Sequence, residues 1–122
     1  GLRFTTVYGP GAKNNMLIPL ILKNKLHYLN VNHIRDFIHI NDVISAIDTV
    51  MPTDLSGVID VGTGVSNKLV DIASYFKIDY LKMIGDETER LDNTADTTIL
   101  NNYGWKHKVN LYQYIEENRN VN

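Results

Sequence analysis

"DFIHINDVISAIDTVM", residues 36–51, changes its hydrophobic period halfway along. The first five residues alternate. Asp36, Ile38 and Ile40 point to one side of an extended chain, and Phe37 and His39 to the other. From Val43 onward the apolar residues Val43, Ala46, Ile47, Val50 and Met51 fall at i, i+3, i+4, i+7 and i+8, which is one helical face. Asn41 or Asp42 is the expected cap, and Pro52 follows the end. A strand that runs straight into a helix is half of an alternating unit, and such units build α/β layers.

The alternation continues outward from this stretch. "LRFTTVY" (2–8) is rich in β-branched and aromatic residues and ends at the turn signal "GPG", so it reads as a strand. Asn14 and Asn15 are candidate caps for a helix through "MLIPLILKN", with Pro19 tolerated in its first turn. "HYL" (27–29) and "DFIHI" (36–40) read as strands on either side of a short link. "GVIDVG" (57–62) reads as a buried strand. Ser66 is the expected cap of a helix with Leu69, Ile72, Ala73 and Phe76 on one stripe. "DYLKMI" (79–84) reads as a strand, and the polar segment 85–95 as a loop. Asp96 is the expected cap of a short helix ending at Tyr103, where Gly104 supplies the C′ residue. Asn110 is expected to cap the last helix, whose inner face is Leu111, Tyr114 and Ile115. The order β-α-β-β-α-β-α-β-loop-α-α predicts an α/β architecture.

Composition narrows the function. At 122 residues the chain fits one domain or part of one. A formal net charge of −2 offers no basic face for nucleic acid and no basic block for a membrane surface. The run "MLIPLIL" (16–22) is far too short to span a bilayer and contains Pro19. With no cysteine, disulfides, zinc–thiolate sites and cysteine nucleophiles are excluded, and a reducing, cytoplasmic location is expected. No secretory signal pattern is read. The chain enters a strand directly after Gly1, so it is expected to be a piece of a longer protein, cut just before a buried strand.

Candidate chemistry is sparse. His27, His33, His39 and His107 are scattered without a helical i, i+4 pair, so no metal site is expected and the histidines read as surface or partly buried. Asp36 and His39 do not share a strand face, and Asp42 is better used as a cap, which speaks against an acid–base pair. "VIDVGTGVSNKL" (58–69) has the strand–glycine-turn–helix layout of a dinucleotide site. Asn67, however, stands where the third glycine of that fingerprint belongs. The same stretch is similar to the first motif of S-adenosylmethionine-dependent methyltransferases, but too little chain follows Gly64 for the rest of that sheet. A tight structural turn is the expected reading. No serine has a G-x-S-x-G context. Arg35 stands where a loop enters a strand. Its guanidinium suits bidentate contact with phosphate oxygens, and it equally suits an ordinary ion pair with Asp36 or Asp42.

Four stretches in series resemble the C-terminal half of the extended short-chain dehydrogenase/reductases, the NAD-dependent nucleotide-sugar epimerases and dehydratases. "LRFTTVYGPG" (2–11) is similar to their "LR-x-x-N-V-Y-G-P-G". "RDFIHINDVISAI" (35–47) is similar to "RDF-I/V-H-V-x-D-V-x-x-A-I". "GVIDVGTGVSNKLVDIA" (57–73) resembles the family's glycine turn and following helix, and "ADTTILNNYGW" (95–105) its "AD-x-S-K-A-x-x-x-LGW". The resemblance covers nearly the whole chain. It implies the last elements of a Rossmann-type fold plus a small subdomain that binds the nucleotide-sugar.

The resemblance also implies roles. Arg35 would bind the diphosphate of the nucleotide-sugar. "NMLIP" (15–19), with Met16, Leu17 and Pro19, would line the nucleotide pocket. Phe4 corresponds to a position beside the nicotinamide, and Thr6 takes the place of the usual substrate-contacting asparagine. In the loop "GDETERLDNTAD" (85–96), Glu89 fits the family's acidic position near the ribose or base. The arginine expected there is replaced by Asp86 or Glu87, with Arg90 as a substitute from a shifted register. None of the seven tyrosines has a lysine four positions on, and no G-x-x-G-x-x-G occurs. The family's acid/base Tyr-x-x-x-Lys and NAD-binding loop would therefore lie upstream. The resemblance implies NAD as the parent's cofactor, a homodimeric parent, and a fragment that neither turns over sugar nor holds NAD tightly. Two other readings stay open: a non-catalytic ligand- or partner-binding domain of the same descent, and a methyltransferase fragment.

Overall fold

The structure is a computed structural model and describes residues 1–85 and 89–119. Its elements run β1 (Leu2–Phe4), β2 (Thr6–Tyr8), α1 (Leu17–Leu22), β3 (Tyr28–Asn30), β4 (Ile34–Arg35), β5 (Phe37–His39) and α2 (Ile40–Val50). They continue with β6 (Ile59–Val61), β7 (Asn67–Lys68), α3 (Leu69–Tyr75), β8 (Leu81–Met83), α4 (Thr98–Asn102) and α5 (Leu111–Asn118).

The strand read over 2–8 is one extended run that changes partner at its middle. β1 pairs in parallel with β6, Leu2 opposite Ile59, and β2 pairs in parallel with β5, Thr6 opposite Phe37. Consecutive amides of an extended chain point to opposite sides. Thr5 N donates to Val61 O at 3.1 Å and Thr6 N to Asp36 O at 3.0 Å, so the run lies between the other two strands. Parallel neighbours need a crossover, and α2 supplies it between β5 and β6. Only the end of the run is buried: Tyr8 is buried, whereas Phe4 at the end of β1 is 46% exposed.

The period-two pattern of β5 separates two cores. Phe37 joins Tyr8, Ile21, Leu29, Ile72 and Ile115 on one side. Ile38 joins Val43, Ala46, Val61, Leu100 and Trp105 on the other. The first core joins α1, α3 and α5; the second joins α2 and α4. Outside them, β3 pairs in parallel with the exposed β8, and β4 pairs antiparallel with β7.

Several expected caps are corrected. α2 starts at Ile40, so its cap falls two or three residues ahead of the one read at Asn41 or Asp42. His39 is its N-cap, its Nδ1 accepting from Asn41 N at 3.0 Å. Asp42 therefore falls inside the first turn and turns away, accepting from Lys108 N and Val109 N, both at 3.0 Å. Met16, not Asn14 or Asn15, is the N-cap of α1, and Asn14 instead accepts from Lys23 Nζ at 2.6 Å. Lys68 precedes α3, because residues 67–68 first pair with Ile34–Arg35. Ser66, expected to cap that helix, shares a 2.8 Å hydrogen bond with Thr94. α4 begins after Thr97. Asp96 instead closes a turn ahead of it, accepting from Thr98 N at 3.0 Å. Asn110 caps α5 as expected, accepting from Gln113 N at 3.0 Å.

Candidate functional site

Arg35 lies in β4, paired with Asn67, rather than in a loop ahead of the strand. Its Nη1 donates to Ile34 O at 2.8 Å and Leu91 O at 3.0 Å. Its Nη2 lies 3.3 Å from His33 Nδ1. Neither ion-pair partner weighed from the sequence is available. Asp36 and Asp42 are both spent on backbone amides elsewhere, and among the described residues no carboxylate lies within ion-pair distance of the guanidinium. Burial lowers its pKa from the ordinary arginine value, while the charges of Glu89 and Asp92 act in the opposite direction. The result is a half-buried cation whose direct partners are two carbonyls and an imidazole rather than a carboxylate.

Asp36 explains the glycine turn. Fully buried, its Oδ1 accepts from Thr63 N at 3.0 Å and Thr63 Oγ1 at 2.6 Å; its Oδ2 accepts from Gly64 N at 2.8 Å and Ala95 N at 3.1 Å. A pyrophosphate would need those amides, and here a carboxylate already holds them. A methyl group on Gly62 would stand 2.6 Å from Thr5 Cγ2 and 2.7 Å from Ala95 Cβ, so the turn is packed solid. It fits neither NAD nor an adenosine, which removes the dinucleotide and methyltransferase readings of this stretch.

Two cavities flank α1. One of about 190 Å³ is lined by Leu17, Leu26, Tyr28, Leu29, Asn30 and Leu69 among others. Its wall is tied to the Arg35 cluster through one main chain: His33 N donates to Asn30 O at 3.2 Å, and Leu69 N donates to His33 O at 3.1 Å. The other, about 390 Å³, is lined by Tyr8, the 9–13 turn, Met16 and Ile40. Met16 and Leu17 thus open onto different cavities, and Pro19 lines neither.

The other expected residues are dispersed. Thr6 Oγ1 accepts from Asn93 Nδ2 at 3.0 Å, and Asn93 Oδ1 in turn accepts from Asp36 N at 2.8 Å. Phe4 is exposed on β1. Glu89 meets His33, its Oε2 3.3 Å from Nε2, and Arg90 is exposed nearby. The reading of Asp86 or Glu87 in place of an arginine lies outside the described residues. His33 and His39, read as surface or partly buried, are 3% and 6% exposed. His39 packs edge-on against Tyr8 and Tyr114, and burial lowers its pKa while Asp42 partly opposes the shift. Burial also pushes the Tyr8 hydroxyl well above the usual phenol value. Sequence reasoning missed His33 as a neighbour of Arg35. His33 lies just ahead of β4, and strand periodicity alone gave no signal for the contact.

Parallel strands linked by helices give a Rossmann-type α/β fold, in which Arg35 has no carboxylate partner among the described residues. The model of the NAD dependent epimerase/dehydratase family matches residues 1–62, and the chain belongs to that family. No curated relative matches. Among solved structures, MoeE5 in complex with UDP-glucuronic acid and NAD superposes with a TM-score of 0.76 at 22% identity, covering 97% of this chain and 44% of its own. The UDP-glucose 4-epimerase of Thermotoga maritima gives 0.76 at 19% identity, covering 96% and 43%. The UDP-N-acetylglucosamine 4-epimerase of Methanobrevibacter ruminantium gives 0.75 at 23%, covering 96% and 43%. At these identities the likeness is one of fold, and the chain spans less than half the length of these structures.

Proposed function

We propose that this chain is the nucleotide-sugar-binding, C-terminal portion of an NAD-dependent nucleotide-sugar epimerase or dehydratase. The parent's reaction, typically at C4 of the sugar, belongs in this reading to groups this chain does not carry, and the isolated chain is inactive. What it supplies is grip. The observation that carries this is Arg35, a half-buried guanidinium with no carboxylate partner among the described residues. A diphosphate would supply the missing negative charge with charge-assisted hydrogen bonds.

The geometry suggests how the rest of the ligand lies. The base enters the cavity beside Leu17, Tyr28 and Leu29, whose wall reaches Arg35 through the His33 main chain. Pro19 sets the first turn of α1 and so the pose of Leu17. Glu89 and Arg90 border the diphosphate from the opposite segment, Thr6 offers a hydroxyl, and Phe4 an exposed ring. Arg35→Ala in the full-length parent tests the reading. Losing a hydrogen bond to a charged partner costs about 1.5–3 kcal/mol, so binding of UDP-glucose or dTDP-glucose should weaken roughly ten- to a hundredfold in calorimetry. Unchanged affinity in a folded variant would overturn the phosphate role.

A further inference from the structure

We infer that His33 is a positioning residue for Arg35, its neutral imidazole holding the guanidinium in the pose that meets the diphosphate. This rests on the reading of Arg35 proposed above. The assignment starts from hydrogen-bond chemistry. A guanidinium has only donors, so at 3.3 Å from Arg35 Nη2 the His33 Nδ1 must be the acceptor and carry no proton. In the neutral ring the proton then sits on Nε2, which points at Glu89 Oε2 3.3 Å away, off the line of a hydrogen bond. A carboxylate facing that nitrogen favours the same tautomer. Glu89, His33 and Arg35 therefore form a chain of complementary partners.

The ring has little freedom to do anything else. His33 is 3% exposed, and its main chain is bonded on both sides, to Asn30 O and Leu69 N. A side chain at Gly85 would run into the imidazole, so the bare backbone there lets the segment after β8 pass close over the ring. Among the described residues, the charged groups facing the ring are Arg35 from β4 and Glu89 from the segment after β8. Asp92 and Arg90 act on Arg35 from further off, and the Leu69 amide at the start of α3 holds the His33 carbonyl. With an N–H on Nδ1 instead, the ring would face the guanidinium N–H groups donor to donor, and the acceptor that holds Arg35 would be lost.

The test uses the full-length protein with UDP-glucose and dTDP-glucose as probes. Calorimetric Kd values are taken at one fixed pH for all variants. His33→Leu should weaken binding on the order of tenfold, as for one lost bond to a charged group. His33→Gln offers an amide oxygen to Arg35 and an N–H to Glu89. It should recover most of that loss, to within about threefold of wild type, a rescue that lost packing alone would not produce. Imidazole ¹⁵N spectra should show the Nε2–H tautomer in the wild type. Wild-type affinity in His33→Leu, an unrescued His33→Gln, or a protonated Nδ1 at neutral pH would overturn the positioning role. If Arg35→Ala weakens binding and His33→Leu does not, only this inference falls. If Arg35→Ala binds normally, or the wild type binds neither probe, the diphosphate reading falls and takes this one with it.

Discussion

Replacing Asp36 by Asn should cost about 3–5 kcal/mol of folding stability, estimated from the hydrogen bonds it would lose. Each carboxylate oxygen accepts two donors: Thr63 N and Oγ1 on one, Gly64 N and Ala95 N on the other. An amide has one oxygen. In either orientation its NH₂ faces two donors, so two bonds become clashes and the remaining two lose their charged acceptor. Each buried bond to a charged group is worth about 1.5–3 kcal/mol, and Asp36 is 0% exposed, so solvent offers no relief. That loss is a large share of the roughly 5–15 kcal/mol that stabilises a domain. Urea unfolding read from the fluorescence of Trp105, the only tryptophan and 5% exposed, measures it directly. The exposed Asp54→Asn serves as control and should shift stability by no more than about 0.5 kcal/mol. An Asp36→Asn loss below about 1 kcal/mol would refute the account of Asp36 as the clasp of three chain segments.

Gly62→Ala should destabilise by about 1–3 kcal/mol, because its methyl group would meet Thr5 Cγ2, Ala95 Cβ and Asp36 Oδ2 at 2.6–2.8 Å; a neutral result in urea unfolding would show that the turn can open. His39 gives a pH prediction. Burial lowers its folded pKa below the ordinary 6.5, so in the window beneath that value the unfolded chain binds more protons than the folded one. Stability should rise with pH through that window and be lost as pH falls. His39→Asn keeps a capping acceptor but cannot titrate, and should show a shallower slope; an unchanged slope would assign the acid sensitivity to another group.

Much of the frame was legible because it follows from local physics. The period switch at residues 36–51 places β5 and α2, and the alternation of Phe37 and Ile38 gives the two cores, since neighbouring strand side chains must point apart. Asn110 caps α5 and Gly104, with φ +82°, follows α4, both choices local to the chain. The caps of α2 and α3 were misread because the fold brings a distant partner within reach: Asp42 accepts from amides 66 and 67 positions away, and Ser66 bonds Thr94. Asp96 was misread by a local alternative, a turn closed onto Thr98 two residues on.

The sequence by itself determined the alternating elements, the α/β class and, through four motifs in series, the family. It also marked Arg35 as a guanidinium suited to phosphate. It left open whether Asp36 or Asp42 neutralises that charge, because both lie close in sequence and either could reach it. Tertiary structure decided the question. Asp36 turns inward to amides 27, 28 and 59 positions on, Asp42 to the backbone ahead of α5, and Arg35 is left with carbonyls and His33. Periodicity reports which face a residue takes. Which partner it meets there depends on segments that only packing brings together.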